Sequence, residues 1–189
     1  DRMLYAGGRQ SSTANSDVVQ YINGSSTGNA TDFGDLSAGR QLLSSVASST
    51  RGVVGGGQTT SQSNVVNIVE YFTFASTGNA TDLGDLTVAR DKGAGFGSGT
   101  RGIFAGGKNS SNTEVNTIDY ITIASTANAI DFGDIAVGTR EAFIGGFASP
   151  TRGVFAGGYY QNIIQYLTIA STGNTSDFGD LTSTGRWEV

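Results

Sequence analysis

The chain has 189 residues, with 11 Lys and Arg against 16 Asp and Glu for a net charge of −5, and contains 29 Gly, one Pro and neither Cys nor His. Those counts exclude disulfides, thiolate chemistry, the usual zinc sites and the commonest general base near neutral pH. An apolar fraction of 37% is too high for a disordered tail, and no apolar run is long enough for a membrane span.

A twelve-residue phrase returns four times, as SSTGNATDFGDL (Ser25 to Leu36), ASTGNATDLGDL (Ala75 to Leu86), ASTANAIDFGDI (Ala124 to Ile135) and ASTGNTSDFGDL (Ala170 to Leu181). Counted at Asp32, Asp82, Asp131 and Asp177, the copies lie 50, 49 and 46 residues apart, a period suited to one small sheet per repeat. The repeat covers nearly all of residues 1–189 without a linker, so a single domain is expected. The sequence starts at Asp1, as a processed or trimmed chain or a part of a longer one would.

In chain order, the third copy opens with RGIFAGG (Arg101 to Gly107), an apolar run stopped by two glycines, which reads as a strand ending in a turn. After a polar loop, NTIDYITIAS (Asn116 to Ser125) places Ile118, Tyr120 and Thr122 on one face and Asp119, Ile121 and Ile123 on the other. Apolar groups on both faces predict a strand sandwiched between sheets. The turn TANA follows, then IDFGDIAV as a third strand, and EAFIGGFAS as a fourth. The copies of that last segment, QLLSSVAS, DKGAGFGS and EAFIGGFAS, are dense in Gly, Ala and Ser, as expected where strands converge on an axis and only small side chains fit.

This order of small-residue strand, R-G-[IV]-F-A-G-G, variable loop, [IV]-x-Y and D-F-G-D resembles the kelch repeat, with Phe33, Leu83, Phe132 and Phe178 where that family has tryptophan. The resemblance implies an all-β fold: a kelch-like β-propeller of four blades, each of four antiparallel strands, with one blade shared between the N- and C-termini. The chain opens at the equivalent of TRGIFAGG and ends at TGRWEV, the equivalent of the start of an innermost strand, so the terminal residues are expected to pair beside the first strand. Only three residues follow Arg186, so the closing strand is short, or further residues or another copy complete the ring. The phrases TRGVFAGG and ASTGNATDFGDL resemble repeats in structural or tail-fibre-like proteins of marine bacteriophages, which implies an extracellular location on a virion, among other virion proteins.

Eight of the cationic residues occupy two repeat-equivalent positions, Arg2, Arg51, Arg101, Arg152 and Arg40, Arg90, Arg140, Arg186, and eight acids form the D-x-x-D pairs. The excess negative charge lies where the repeats differ, which argues against a nucleic-acid partner. Two carboxylates with nearby carbonyls are a Ca²⁺ pattern, but the further acidic ligands of a calcium loop are missing. Structural charge pairs, with Arg51, Arg101 and Arg152 facing Asp82, Asp131 and Asp177, are the expected use of these residues, and no metal or other cofactor is expected. Sequons at Asn23, Asn29, Asn79, Asn109 and Asn174 are read as turn chemistry where they fall in the repeated turn.

In a propeller the loops sort onto two faces. One face carries RQSSTANSD, QTTSQSN, KNSSNTE and YYQN with the surroundings of Arg40, Asp91 and Lys92, Glu141 and Trp187; the other carries the near-identical TGNAT and STRG turns. Varied loops on a rigid scaffold are where binding is sought, and Tyr159, Tyr160, Trp187, Lys108, Lys92 and Arg9 are the candidate ligand contacts. The alternative packs both tyrosines under their short loop and uses Trp187 to cap the core. The expectation is a non-enzymatic virion protein attaching to a host-surface receptor or carbohydrate. The alternative is an architectural component docking to other proteins or to copies of itself. A sugar oxidase of the kelch type needs histidine, and the chain has none.

Overall fold

The computed structural model describes residues 2–12, 14–59, 64–136, 145–157 and 161–185. These residues form four antiparallel sheets and no helix. The first sheet has the order β1 (Arg2–Ala6), β2 (Val18–Asn23), β3 (Thr31–Asp35). The second is β4 (Ser44–Ala47), β5 (Arg51–Gly55), β6 (Ile68–Thr73), β7 (Thr81–Asp85), and the third β8 (Ala94–Gly97), β9 (Arg101–Ala105), β10 (Thr117–Thr122), β11 (Ile130–Asp134). The fourth is β12 (Gly145–Ala148), β13 (Arg152–Ala156), β14 (Gln161–Thr168), β15 (Ser176–Gly185). Within each sheet every strand pairs with the next in sequence, so the second to fourth sheets are meanders built by one repeat and the small-residue strand that precedes it.

The β-branched and aromatic runs form the strands for the reason their pattern indicated: in the second and third sheets both faces are covered. Val19, Phe33 and Leu36 of the first repeat pack on Val54 and Phe72 of the second sheet. Val53, Val69 and Leu83 in turn meet Phe104, Ile121 and Ile123 of the third, while Ile103, Ile118 and Phe132 meet Phe155, Leu167 and Ile169 of the fourth. One bulge recurs in every sheet. Val69 lies opposite Gly84 and Glu70 opposite Asp82, which leaves Leu83 as the extra residue, turned into the core. The same register shift follows Val19, Ile118 and Ile164.

The small-residue strands are edge strands that pack on one another, β4 on β8 and β8 on β12. A Cβ on Gly95 would run into the backbone of Ser45, and one on Gly146 would meet the Phe96 ring at 2.7 Å. Convergence therefore accounts for their composition.

Among the described residues the first sheet has three strands, and the residues expected to supply its fourth, Arg186 to Val189, lie outside them. Leu181 to Gly185 continue along β14, with Gly185 opposite Gln161, where the first and second copies leave their sheet after Leu36 and Leu86. Among the described residues, no core cluster joins the fourth sheet to the first, so the set of sheets is open between them.

Candidate binding face

The loops sort onto two sides. On one side lie the repeated turns. Phe74, Ile123 and Ile169 donate their N–H groups to Thr50, Thr100 and Thr151, tying each TGNAT-type segment to a Ser-x-Thr-Arg turn. On the other side, the loops that follow the paired glycines meet those that lead from one sheet to the next, through backbone bridges between Gln41 and Gln58 and between Asp91 and Lys108.

The first side works as a latch between sheets. Gly78 donates to the carbonyl of Phe33 (2.7 Å), Ala80 to that of Asp35 (2.8 Å), and the Asn79 carboxamide oxygen accepts from Asp35 N–H (3.1 Å). Ala129 and Asn128 repeat two of these bonds on Asp85, and Gly173, Thr175 and Asn174 repeat all three on Phe132 and Asp134. The glycine of D-F-G-D is required there. Gly84 has φ 145°, and a Cβ would sit 2.6 Å from the Ala127 carbonyl oxygen. The sequons at Asn79 and Asn174 thus belong to this turn.

The cations of the scaffold are paired differently from expectation. Arg40 bonds Glu70, and Arg90 bonds Asp119, with all four side chains buried. Burial lowers the pKa of both guanidinium groups, opposed by the adjacent carboxylates. Asp119 also accepts from the Thr87 N–H (3.1 Å) and hydroxyl. Arg51, Arg101 and Arg152 do not pair with Asp82, Asp131 and Asp177. Their guanidinium groups lie over Tyr71, Tyr120 and Tyr166, at 4.1, 4.3 and 4.5 Å from the ring centroids, a cation–π arrangement. Arg51 and Arg101 also donate to the Ile123 and Ile169 carbonyls of the following sheet, at 3.0 and 2.7 Å. The aspartates are exposed, and the carboxylates of Asp131 and Asp177 accept from the Gly133 and Gly179 N–H groups two residues on, inside the bulge.

The second side carries the candidate ligand contacts. Arg9 is exposed, and its guanidinium holds the Ser11 and Ser12 carbonyls at 3.0 and 3.1 Å, shaping the first varied loop. Asn15 reaches across to the Gln58 carbonyl (2.8 Å). Gln58 is buried and accepts from Gln41 (2.9 Å) while donating to Asp91 (2.6 Å). Asp91 is itself buried, and desolvation raises its pKa against the influence of Lys92, Gln58 and Lys108. Lys108, expected as a ligand contact, is only 8% exposed and belongs to this inner network, so it offers little surface to a ligand. Lys92 is half-buried, with its backbone N–H bonded to the Leu42 carbonyl. The loop beyond Lys108 is an Asx turn, in which the Asn109 side chain accepts from Ser111 and Thr113 N–H, both at 3.0 Å, and residues 110–114 are exposed. Tyr159, Tyr160 and Trp187 lie outside the described residues. The network of Gln41, Gln58 and Asp91 had no sequence signal, because its members differ from repeat to repeat.

A cleft of about 720 Å³ runs beside β1, bordered by Met3, Tyr5, Ser45, Gly95, Gly146 and Ala148, where the small-residue strands converge. No family model and no curated protein matches this chain.

Proposed function

We propose that the four sheets are successive blades of a kelch-like β-propeller, and that the protein is a non-enzymatic virion component whose varied loop face attaches to a host surface. The observation that carries this reading is the division of labour between the two loop sides. The uniform side is occupied by the latch between sheets, while the varied side holds its own frame through buried Gln58 and Asp91 and leaves Ser, Thr and Asn side chains outward. Short hydroxyl and amide groups on an exposed loop face suit a carbohydrate, and many copies on a particle would raise a weak single-site affinity.

The test is binding of labelled chain to intact candidate host cells, compared with a Tyr159→Ala/Tyr160→Ala variant of unchanged far-UV spectrum. Saturable binding that the variant loses is expected. Absence of binding by a folded, multivalently displayed protein would overturn the attachment reading. A second reading, an architectural component docking to other virion proteins or to its own copies, is favoured by the open ends of the set of sheets.

A further inference from the structure

The latch, the arginine contacts and the apolar faces repeat at each junction between sheets, and each is left half-made at the two ends of the set. On the fourth sheet, a Cβ on Gly179 would meet nothing within 4 Å, whereas the equivalent Gly34, Gly84 and Gly133 are pressed against the turn of the following repeat. On the first repeat, Gly28, Asn29 and Ala30 are exposed, whereas Ala129 and Thr175, at the position of Ala30, are buried under their latch bonds. Arg2, Arg51 and Arg101 reach the carbonyls of Phe74, Ile123 and Ile169 on the next sheet; Arg152 is exposed, and the residue equivalent to those three on the first repeat is Gly24.

The apolar faces show the same asymmetry. Phe147 is 74% exposed and Phe178 54%, although their equivalents Val46, Phe96, Phe33, Leu83 and Phe132 are buried. Tyr5 is 61% exposed, although Val54, Phe104 and Phe155 at its position are buried against the preceding sheet. An apolar surface open at both ends and matched in the interior marks an interface.

We infer that the fourth sheet of one molecule docks on the first sheet of a second copy, reproducing the junction that already joins the sheets within the chain. In this contact Gly28 and Ala30 N–H donate to the carbonyls of Phe178 and Asp180, and Asn29 accepts from Asp180 N–H. Arg152 donates to the Gly24 carbonyl, and Phe147 and Phe178 are covered by the face that carries Tyr5. The contact is heterologous, two different surfaces of one chain meeting head to tail. It does not depend on the attachment reading, since none of its residues lies in the varied loops. A second copy is the occupant because β15 remains on β14 to Gly185, and no core cluster of the described residues joins the two ends within one molecule.

The test combines sedimentation equilibrium with two variants, Phe147→Asp and Tyr5→Asp. Both positions are exposed in the single chain, so each variant is expected to keep the wild-type far-UV spectrum. Wild-type protein is expected to gain mass with concentration beyond one chain, and each variant alone to stay at the mass of one chain. An equimolar mixture is expected to form a complex of two chains and nothing larger, because each variant retains the half that the other has lost. Wild-type protein at the mass of one chain across the concentration range would overturn the inference, as would variants that assemble alone or a mixture that does not.

Discussion

Replacing Asp119 by Ala removes the carboxylate bonded to Arg90, a guanidinium 2% exposed to solvent. Arg90 keeps its bonds to the carbonyls of Thr117 (2.6 Å) and Gly106 (3.4 Å), but these do not neutralise the charge, and the Thr87 N–H and hydroxyl lose their acceptor as well. Breaking a buried pair from one side typically costs about 3–5 kcal/mol, against about 5–15 kcal/mol of stability for a whole domain. At roughly 2–4 °C per kcal/mol for a chain of this length, the melting temperature falls by about 6–20 °C. Urea unfolding checks the free energy, with an unchanged m-value to show that the same surface is exposed. The double variant Arg90→Met/Asp119→Leu should recover most of the loss, because an apolar pair of similar size removes both charges together. Asp119→Ala within about 0.5 kcal/mol of wild type, the range of ordinary surface substitutions, would refute the argument that this pair is buried and mutually dependent.

Gly84→Ala should destabilise by about 1–3 kcal/mol through its positive φ, and further through collision with the Ala127 carbonyl; Gly179→Ala meets open space and should cost less, a difference that urea unfolding of the pair measures. Asp91 binds its proton more tightly in the folded protein than its ordinary value of 3.8, so this group favours folding at low pH, and that contribution is lost as pH rises through the raised pKa. Asp91→Asn should therefore remove this contribution while keeping an acceptor for Gln58, so the melting temperature of wild type minus that of the variant is expected to fall as pH rises from 3 to 7. Tyr71→Leu should cost about 0.5–2 kcal/mol through loss of the face over which Arg51 lies, checked by thermal unfolding.

The strands and their order were legible because repetition multiplied a period-two pattern, and the small-residue segments were legible as converging strands because Gly95 and Gly146 have no space for a Cβ. The charge pairing was misread for an equally physical reason. The D-x-x-D phrase recurs four times and draws attention, but its first aspartates are exposed, with Asp131 and Asp177 serving the bulge, and Asp35, Asp85 and Asp134 enter the latch through their backbone. The acids that hold Arg40 and Arg90 stand at a position occupied by Gln20, Glu70, Asp119 and Gln165, so no carboxylate repeats there to be noticed. Arginine stacking on tyrosine could have been found from register: Val53 lies opposite Tyr71, which makes Tyr71 a diagonal neighbour of Arg51 across the β5–β6 pair. The latch had no sequence signature beyond the repeated turn and its Asn, because apart from the Asn79, Asn128 and Asn174 carboxamides its bonds are made by backbone groups that every residue carries.

Residue-resolved amide hydrogen exchange on the Tyr5→Asp variant tests most directly the claim that one repeated latch joins the sheets. The N–H groups of Gly78, Ala80, Ala129, Gly173 and Thr175, all in turns outside the strands, are predicted to exchange as slowly as strand amides, while Gly28 and Ala30 exchange rapidly. Rapid exchange at all seven positions would contradict the account.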